Sequence, residues 1–229
     1  MGLVVEHEVL KKAIPFVCST LEVVQIKTTE DRLILGGLDP THVTLVKATI
    51  IPIDIEPLNT AADSRYLSMI TELVTHGDIK ITNSNERITF SNGEETASIP
   101  ALEPRDQPNE KQIEEIISNE CRAKVNLKSL INAINKIGKV SEEVKIEAKD
   151  NKLIISGTND KIKAENTIKA EVEKEATAKY GIKYLQKILK TIKDKEVTLQ
   201  FGNNLPIKIT SETDILQLTA YIAPYIDEI

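Results

Sequence analysis

The sequence predicts an α+β chain built from two topologically similar halves, each with two helices packed on antiparallel sheet. Three observations carry that expectation. The chain has 229 residues, which suits two domains of about 100 to 115 residues better than one. The two halves repeat each other at a nearly constant offset. Within each half the apolar period alternates between that of a helix and that of a strand.

The repeat is read by sliding the sequence over itself. At an offset of 120, Leu10, Ala13, Ile14 and Val17 fall on Leu130, Ala133, Ile134 and Ile137. Ile26 then falls on Ile146, Leu33-Ile34-Leu35 on Leu153-Ile154-Ile155, and Gly37 on Gly157. At an offset of 118, Tyr66-Leu67 falls on Tyr184-Leu185, Ile70 on Ile188 and Val74 on Ile192.

Residues 8–21 place Val9, Leu10, Ala13, Ile14, Val17 and Leu21 on one helical stripe. Pro15 falls inside it, where it lacks a donor and should kink or interrupt the rod. Residues 23–28 and 32–36 read as strands around a Thr29-Glu30-Asp31 turn, and 43–55 as a longer β-branched stretch. A second helix is expected over 64–76, then strands at 78–83 and 86–91. Asn92-Gly93 predicts a type I′ hairpin turn into a strand at 95–101. The second half repeats the scheme, with helices at 127–139 and 181–193.

Residues 103–120 break the pattern. They hold Pro104, Pro108 and six acids against Arg105 and Lys111, which predicts a solvated connector with at most a helical turn near Ile113–Ile117. The expected domains are therefore 1–102 and 121–229, with the connector between them.

Composition excludes several classes. The first residues lack a basic n-region and no run of 18 apolar residues occurs, so neither a secretory signal nor a membrane span is expected. Cys18 and Cys121 are too few for a disulfide framework or zinc cage and point to a reducing compartment. With five Tyr, three Phe and no Trp, the chain lacks the aromatic platforms of single-strand binders.

The net charge of −6 hides a segregation. Residues 122–139 carry Arg122, Lys124, Lys128, Lys136 and Lys139 without one acid, and residues 176–193 carry Lys179, Lys183, Lys187, Lys190 and Lys193, again without one. At 100° per residue, Ile182, Leu185, Ile188, Leu189 and Ile192 share one face while Lys183, Lys187 and Lys190 line the other. In the earlier helix Leu127, Leu130, Ile131, Ile134 and Ile137 face the core and Ser129, Asn132, Lys136 and Lys139 point away. The first helix offers Lys11 and Lys12 beside Glu8; the one at 64–76 offers Ser68, Thr71, Glu72 and Thr75. Lysine faces without an arginine fork or aromatics suit diffuse contact with phosphates rather than base reading.

No catalytic constellation emerges. His7, His42 and His76 have no metal-ligand spacing with each other or with a cysteine. Gly36-Gly37 lacks the remaining P-loop residues and reads as a turn. Asp39 with His42 is half of an acid–base pair at most, Asp39-Pro40 reads as a turn, and Cys18 lies in a helix. The chain reads as non-enzymatic, with no cofactor and no metal.

The run Gly37-Leu38-Asp39-Pro40-Thr41-His42-Val43-Thr44-Leu45-Val46 resembles the segment after the first hairpin in the proliferating cell nuclear antigen (PCNA) family of sliding clamps. Tyr180-Gly181-Ile182-Lys183-Tyr184-Leu185 resembles the start of the last helix of archaeal clamps. Phe201-Gly202-Asn203-Asn204-Leu205-Pro206-Ile207 and Tyr221-Ile222-Ala223-Pro224-Tyr225-Ile226-Asp227-Glu228 are similar to later clamp segments. The four lie in family order.

The resemblance implies a DNA-clamp fold whose subunits close as a trimer around double-stranded DNA, with helices lining the hole. Lys11, Lys12, Lys128, Lys136, Lys139, Lys183, Lys187 and Lys190 are then the DNA-facing cations. It also implies an outer pocket for short peptides of DNA polymerase, flap endonuclease, DNA ligase and the clamp loader. Carried over by motif, its walls are Leu38, His42, Val43, Leu45, Pro206, Tyr221, Ala223, Pro224 and Ile226. Subunits should meet through edge strands near Glu95–Leu102 and Lys161–Ile168, with Ile99, Leu102, Ile162 and Ala164 as apolar contacts. The implied location is the cytoplasm and nucleoid of an archaeal cell, or the nucleus of a eukaryotic one.

Two departures from the family pattern stand out: the connector is unusually acidic, and the helix at 64–76 lacks the basic residues common at that position in the family and carries Glu72. A self-closing ring and a mixed ring of unlike subunits both remain open on these residues, as do a checkpoint-type clamp subunit and a duplicated interaction scaffold with no DNA role.

Overall fold

The structure, a computed structural model, describes residues 2–84, 86–105 and 110–226. It divides into two compact units, Met1–Pro108 with Glu212–Leu218, and Asn109–Ser211 with Thr219–Ile229.

Unit 1 begins with β1 (Leu3–Glu6), α1 (His7–Val17), β2 (Val23–Thr28), β3 (Leu33–Leu38) and β4 (Thr44–Ile50). It continues with β5 (Asn59–Asp63), α2 (Ser64–Leu73), β6 (Asp78–Ser84), β7 (Arg87–Ser91) and β8 (Thr96–Pro100). The strands pair antiparallel in the orders β1-β6-β7-β8 and β5-β2-β3-β4. α1 buries Val9, Leu10, Ala13, Ile14, Phe16 and Val17, and α2 buries Leu67 and Ile70.

Unit 2 opens with α3 (Glu110–Ile117), β9 (Cys121–Asn126), α4 (Leu127–Ile137), β10 (Glu143–Lys149), β11 (Lys152–Thr158) and β12 (Lys163–Val172). After β13 (Ala176–Gly181) and α5 (Ile182–Leu189) come β14 (Glu196–Phe201), β15 (Ile207–Glu212) and β16 (Leu216–Ile222), the last two belonging to this unit over Ile207–Ser211 and Thr219–Ile222. The orders β13-β10-β11-β12 and β9-β14-β15-β16 reproduce those of unit 1.

The duplication reaches single backbone hydrogen bonds. His7 N–H donates to Gly77 C=O at 3.0 Å, and Leu127 N–H to Lys195 C=O at 2.9 Å. Ser64 N–H donates to Glu22 C=O at 2.9 Å, and Ile182 N–H to Glu142 C=O at 3.0 Å. These are the offsets of 120 and 118 seen in the sequence, so each helix enters from its strand by the same tie. One difference is local. β12 adds a ladder to β9 over Ala170–Val172, where the corresponding described residues of unit 1 make the isolated bridge Val4–Asp54.

Several local expectations change. The helix passes through Pro15 and ends two residues later at Val17, so the missing donor falls in its last turn. α5 stops at Leu189, because the N–H and hydroxyl of Thr191 both donate to Ile188 C=O and tighten the end. Gly36 and Gly37 lie within β3, not in a turn. A Cβ on Gly36 would sit 2.4 Å from Val46 C=O, so glycine there permits the close approach of β4. The Asn92-Gly93 turn is not type I′, because Gly93 has φ +94° while Asn92 does not adopt positive φ. Instead the Asn92 carboxamide oxygen accepts from the N–H groups of Glu94 and Glu95 at 3.0 and 2.7 Å. The second part of the acidic connector is not a solvated linker but α3, whose Ile117 is fully buried. Asp106, Gln107, Pro108 and Asn109 of that connector lie outside the described residues, as do Asp227 and Glu228 of the closing motif.

Candidate functional site

In unit 2, α4 and α5 lie against each other, and Gln186 Nε2 donates to Asn135 Oδ1 at 3.0 Å between them. Asn126 caps α4 by accepting from Ser129 N–H at 3.0 Å. Leu127, Leu130, Ala133, Ile134 and Ile137 of α4, and Ile182, Leu185, Ile188 and Leu189 of α5, are buried. That burial leaves the opposite faces to Lys128, Lys136, Lys139, Lys183, Lys187 and Lys190, all exposed. Lys136 reaches Asn166 at 3.5 Å, and Lys183 lies 3.9 Å from Glu142. The second pair is almost fully solvated and binds the cation little. Among the described residues, no ion pair engages Lys128, Lys139, Lys187 or Lys190. Not every cation of the two acid-free segments joins these faces, however. Lys124 and Lys179 are strand residues paired with Glu196 at 2.9 Å and Glu143 at 3.3 Å.

The corresponding helices of unit 1 differ. Lys11 is exposed but lies 3.7 Å from Glu8, and Lys12 is half-buried. On α2 the Arg65 guanidinium is held by Asp63, with Nε 3.0 Å from Oδ1. The outer face of α2 presents Tyr66, Met69 and Leu73, each about half exposed, a stripe that the sequence reading does not single out.

The motif Leu38–Leu45 folds around one buried carboxylate. Asp39 accepts the N–H of Thr44 at 2.5 Å, the N–H of Thr41 at 3.1 Å and the Thr41 hydroxyl. Burial raises the carboxyl's proton affinity, but these hydrogen bonds outweigh it and hold the group below the usual carboxylate range. His42 N–H donates to Asp39 C=O at 2.9 Å, and His42 adopts φ +59°. The turn thus presents His42 to solvent, with Leu38 and Val43 half-buried and Leu45 almost wholly buried. Asp39 is a structural clasp, its oxygens occupied by the loop backbone rather than by the His42 ring.

The remaining residues of the expected pocket belong to unit 2. Pro206, Ala223 and Pro224 are half-buried and Ile226 is exposed. Tyr221 is not an open wall: it is 2 % exposed. Its hydroxyl donates toward Glu110 Oε1 at 2.8 Å and toward Glu114. Lys208 Nζ lies 2.6 Å from Glu114 and 5.7 Å from the Tyr221 ring centroid. Burial and then the Glu114 hydrogen bond drive the phenol pKa well above its ordinary value. Nothing in the spacing of Glu110 and Glu114 foretells Tyr221 as partner; only their shared helical face, i and i+4, is legible.

Among the described residues, the outer edge of β8 and the Lys163–Lys169 stretch of β12 have no strand partner on one side. In β8, Asn92 N–H donates to Glu95 C=O and Ala101 N–H to Glu86 C=O, which fixes odd-numbered Ala97 and Ile99 as bonded to β7. Thr96, Ser98 and Pro100 direct their backbone outward, where Arg87 Nη2 donates to Ser98 C=O at 2.6 Å and Pro100 has no donor to offer. In β12, Asn159 N–H donates to Ile162 C=O and Ala170 N–H to Asn151 C=O, so even-numbered residues bond to β11. Lys163, Glu165, Thr167 and Lys169 direct theirs to the unpaired side. Ile99 is buried inside unit 1, because the alternation of β8 turns it inward, so it is not a surface contact. Leu102 and Ile162 are exposed and Ala164 is half-buried.

Both thiols are suppressed as nucleophiles. Burial pushes the Cys18 thiol up to about 12 and the Cys121 thiol up to about 11. Among the described residues, no group of three or more His, Cys, Asp or Glu side chains could hold a metal ion.

Comparison with known proteins agrees with this geometry. The family described as DNA polymerase III beta subunit, N-terminal domain, matches residues 125–222. A DNA polymerase sliding clamp of Pyrococcus furiosus is 25% identical over 224 residues, covering 88% of each chain. The structure of A. fulgidus PCNA bound to the C-terminal region of FEN-1 superposes with a TM-score of 0.84. That match has 16% identity and covers 100% of this chain and 99% of the other. A PCNA2–PCNA3 complex from Sulfolobus tokodaii superposes with a TM-score of 0.78 at 18% identity, covering 98% and 99%. The duplicated architecture and the four ordered motifs are thus similar to those of DNA polymerase sliding clamps, and the likeness to the solved structures shows the clamp fold.

Proposed function

We propose that this chain is one subunit of a trimeric ring that encircles duplex DNA without reading its sequence and tethers replication and repair enzymes to it. The observation that carries the reading is the pair of acid-free helical faces on α4 and α5, with six exposed lysines. Lysine ammonium groups on flexible stems form exchangeable contacts with phosphates. A closed ring needs no tight grip, so such contacts favour sliding, whereas bidentate base contacts would arrest it. The acidic surplus elsewhere does not oppose this, because DNA responds to the local field of the lysine faces.

The ring reading is supported by the open edges of β8 and β12, which can join by strand addition. The contrast between the α4/α5 lysines and the Tyr66–Met69–Leu73 stripe of α2 favours a mixed ring, in which unlike subunits need not contribute equally. Client peptides are proposed to dock through His42, Val43 and Leu38, and through Pro206, Tyr221, Ala223 and Pro224. The chain itself catalyses nothing in this reading: its buried carboxylate is a loop clasp and its thiols are held protonated.

The test is retention on nicked circular DNA after loading, measured against salt. Changing Lys183, Lys187 and Lys190 together to Ala should shorten retention and lower the salt dependence while leaving the melting temperature unchanged. Retention equal to that of the unaltered protein at every salt concentration would remove these lysines from the DNA interface.

A further inference from the structure

The duplication relates the unpartnered edges of β8 and β12 to a contact that unit 1 already makes. The segment Glu212–Leu218 belongs to that unit, and Ile51 N–H, at the end of β4, donates to Ile215 C=O at 2.9 Å. Each end of this bond has a counterpart on an open edge. Leu33 faces Ile50 as Leu153 faces Ile168, so Ile51 corresponds to Lys169 of β12. Asn92 N–H donates to Glu95 C=O as Thr213 N–H donates to Leu216 C=O, so Ile215 corresponds to Glu94, just before β8. The matching bond therefore runs from Lys169 N–H to Glu94 C=O. Lys169 N–H points to the unpaired side of β12, and no hydrogen bond among the described residues ends on Glu94 C=O. Continued antiparallel, the register sets Thr167 opposite Thr96, Glu165 opposite Ser98 and Lys163 opposite Pro100. These are the residues whose backbone is directed outward on each edge, a match that a slip of one residue would destroy.

We infer that β8 of one copy of this chain joins β12 of a second copy in this register, with Thr96 opposite Thr167. The inference rests on the strand-addition reading of the two edges. Side-chain charge fits a second copy as the occupant. Glu165 and Lys169 are exposed and, among the described residues, enter no ion pair. The register brings Lys169 beside Glu94, which is 80% exposed with His76 3.4 Å away. It brings Glu165 beside Ser98, where Arg87 lies on the same exposed face. In the single chain Arg87 Nη2 donates to Ser98 C=O at 2.6 Å, the acceptor that Glu165 N–H would use. Joining gives that acceptor to the strand and turns the guanidinium to the Glu165 carboxylate, a charged partner in place of a neutral one. Arg87 thus covers the free edge and then secures the joined one. Rings of three copies, and rings of two copies beside one unlike subunit, both contain this joint.

Two experiments on the full chain test it. In the first, Thr96→Cys chains are mixed with chains carrying Thr167→Cys, Glu165→Cys or Lys169→Cys and oxidised, and the bridges are mapped by mass spectrometry. Opposite residues of an antiparallel bonded pair have Cα atoms about 5.5 Å apart, within disulfide reach, whereas diagonal neighbours at about 7–8 Å are beyond it. Bridging to Thr167→Cys should exceed bridging to either other position at least about tenfold. The second measures self-association by analytical ultracentrifugation, where the unaltered chain should sediment above monomer mass. Arg87→Glu sets like charges together and should weaken association about fivefold to tenfold, and R87E/E165R should recover most of it. Preferred bridging to Glu165→Cys or Lys169→Cys overturns the register and leaves strand addition in place. A double variant as weak as Arg87→Glu overturns the Arg87–Glu165 contact and the register with it. Monomer mass with no bridge at any position overturns the joint between copies. If the unaltered chain is nonetheless retained on nicked circular DNA, only that joint is lost; absence of retention as well overturns the ring reading.

Discussion

Asp39 accepts the backbone N–H of Thr44 at 2.5 Å across the turn that carries His42. The bond closes a loop whose left-handed His42 would otherwise be costly to hold. Asp39→Asn should therefore lower stability by about 1–3 kcal/mol, the range for weakening a buried charged acceptor. The pH dependence has a definite sign. Because the folded carboxyl titrates below its ordinary value of 3.8, its stabilisation is present above that pH and is lost as pH falls through the folded pKa. Urea unfolding should separate the two proteins at pH 7, and the gap should narrow progressively as pH falls below 3.8; a gap that does not narrow in acid would mean the charge is not what closes the loop.

A second contrast lies between the helical faces. Replacing Lys128 and Lys139 with Ala should weaken DNA retention more than replacing Lys11 and Lys12, because Lys11 already has Glu8 at 3.7 Å and Lys12 is half-buried. Removing one lysine–phosphate pairing should flatten the log–log salt slope by about 0.9. Equal effects from both sets would mean that net charge, not the α4 face, sets the attraction.

The thiols give a chemical check on packing. With Cys18 pushed up to about 12 and Cys121 to about 11, neither offers appreciable thiolate near neutrality. Alkylation at pH 8 should run at least about tenfold slower than for a free cysteine, and should accelerate on unfolding. The sign for stability follows: the contribution is intact below the ordinary thiol value of 9.0 and is lost as pH rises from there, since the unfolded thiols ionise first. Fast labelling of the native protein would place Cys18 in a more polar site than its burial implies.

The sequence makes some of this legible and withholds the rest for physical reasons. Amphipathic periodicity locates α1, α2, α4 and α5, because burial of one stripe is written in every third or fourth residue. The repeat of Leu10, Ala13 and Ile14 in Leu130, Ala133 and Ile134 foretells two alike units, and the backbone ties at His7 and Leu127 carry that likeness through. α3 reads as solvated connector because its acids dominate locally. Its partners are distant in sequence, among them Tyr221, 107 residues beyond Glu114, and Gln200 at Ile117, and such partners leave no local period. Lys124 looks equivalent to Lys128 in a charge count; only the β9–β14 register brings Glu196 to it. Ile99 reads as an interface residue because it is apolar in an edge strand, but a one-residue alternation decides which face it takes.

That alternation also supplies a test of the proposed ring. Thr167 sits in β12 with its N–H directed away from β11, whereas Asn166 is bonded to β11 opposite Ile155. Proline lacks the donor and is tolerated on the open side of an edge strand but not on the paired side. Thr167→Pro should leave the folded subunit near its original melting temperature yet remove an outward donor and place a ring where a partner strand would lie. Association, read as molar mass by analytical ultracentrifugation with the chain alone and with candidate sister subunits, should weaken at least about tenfold, the effect of one interfacial hydrogen bond plus a steric obstruction. Asn166→Pro should instead destabilise unit 2 itself. If Thr167→Pro assembles as the unaltered protein does, subunits do not join along this edge, and the ring must close through another surface.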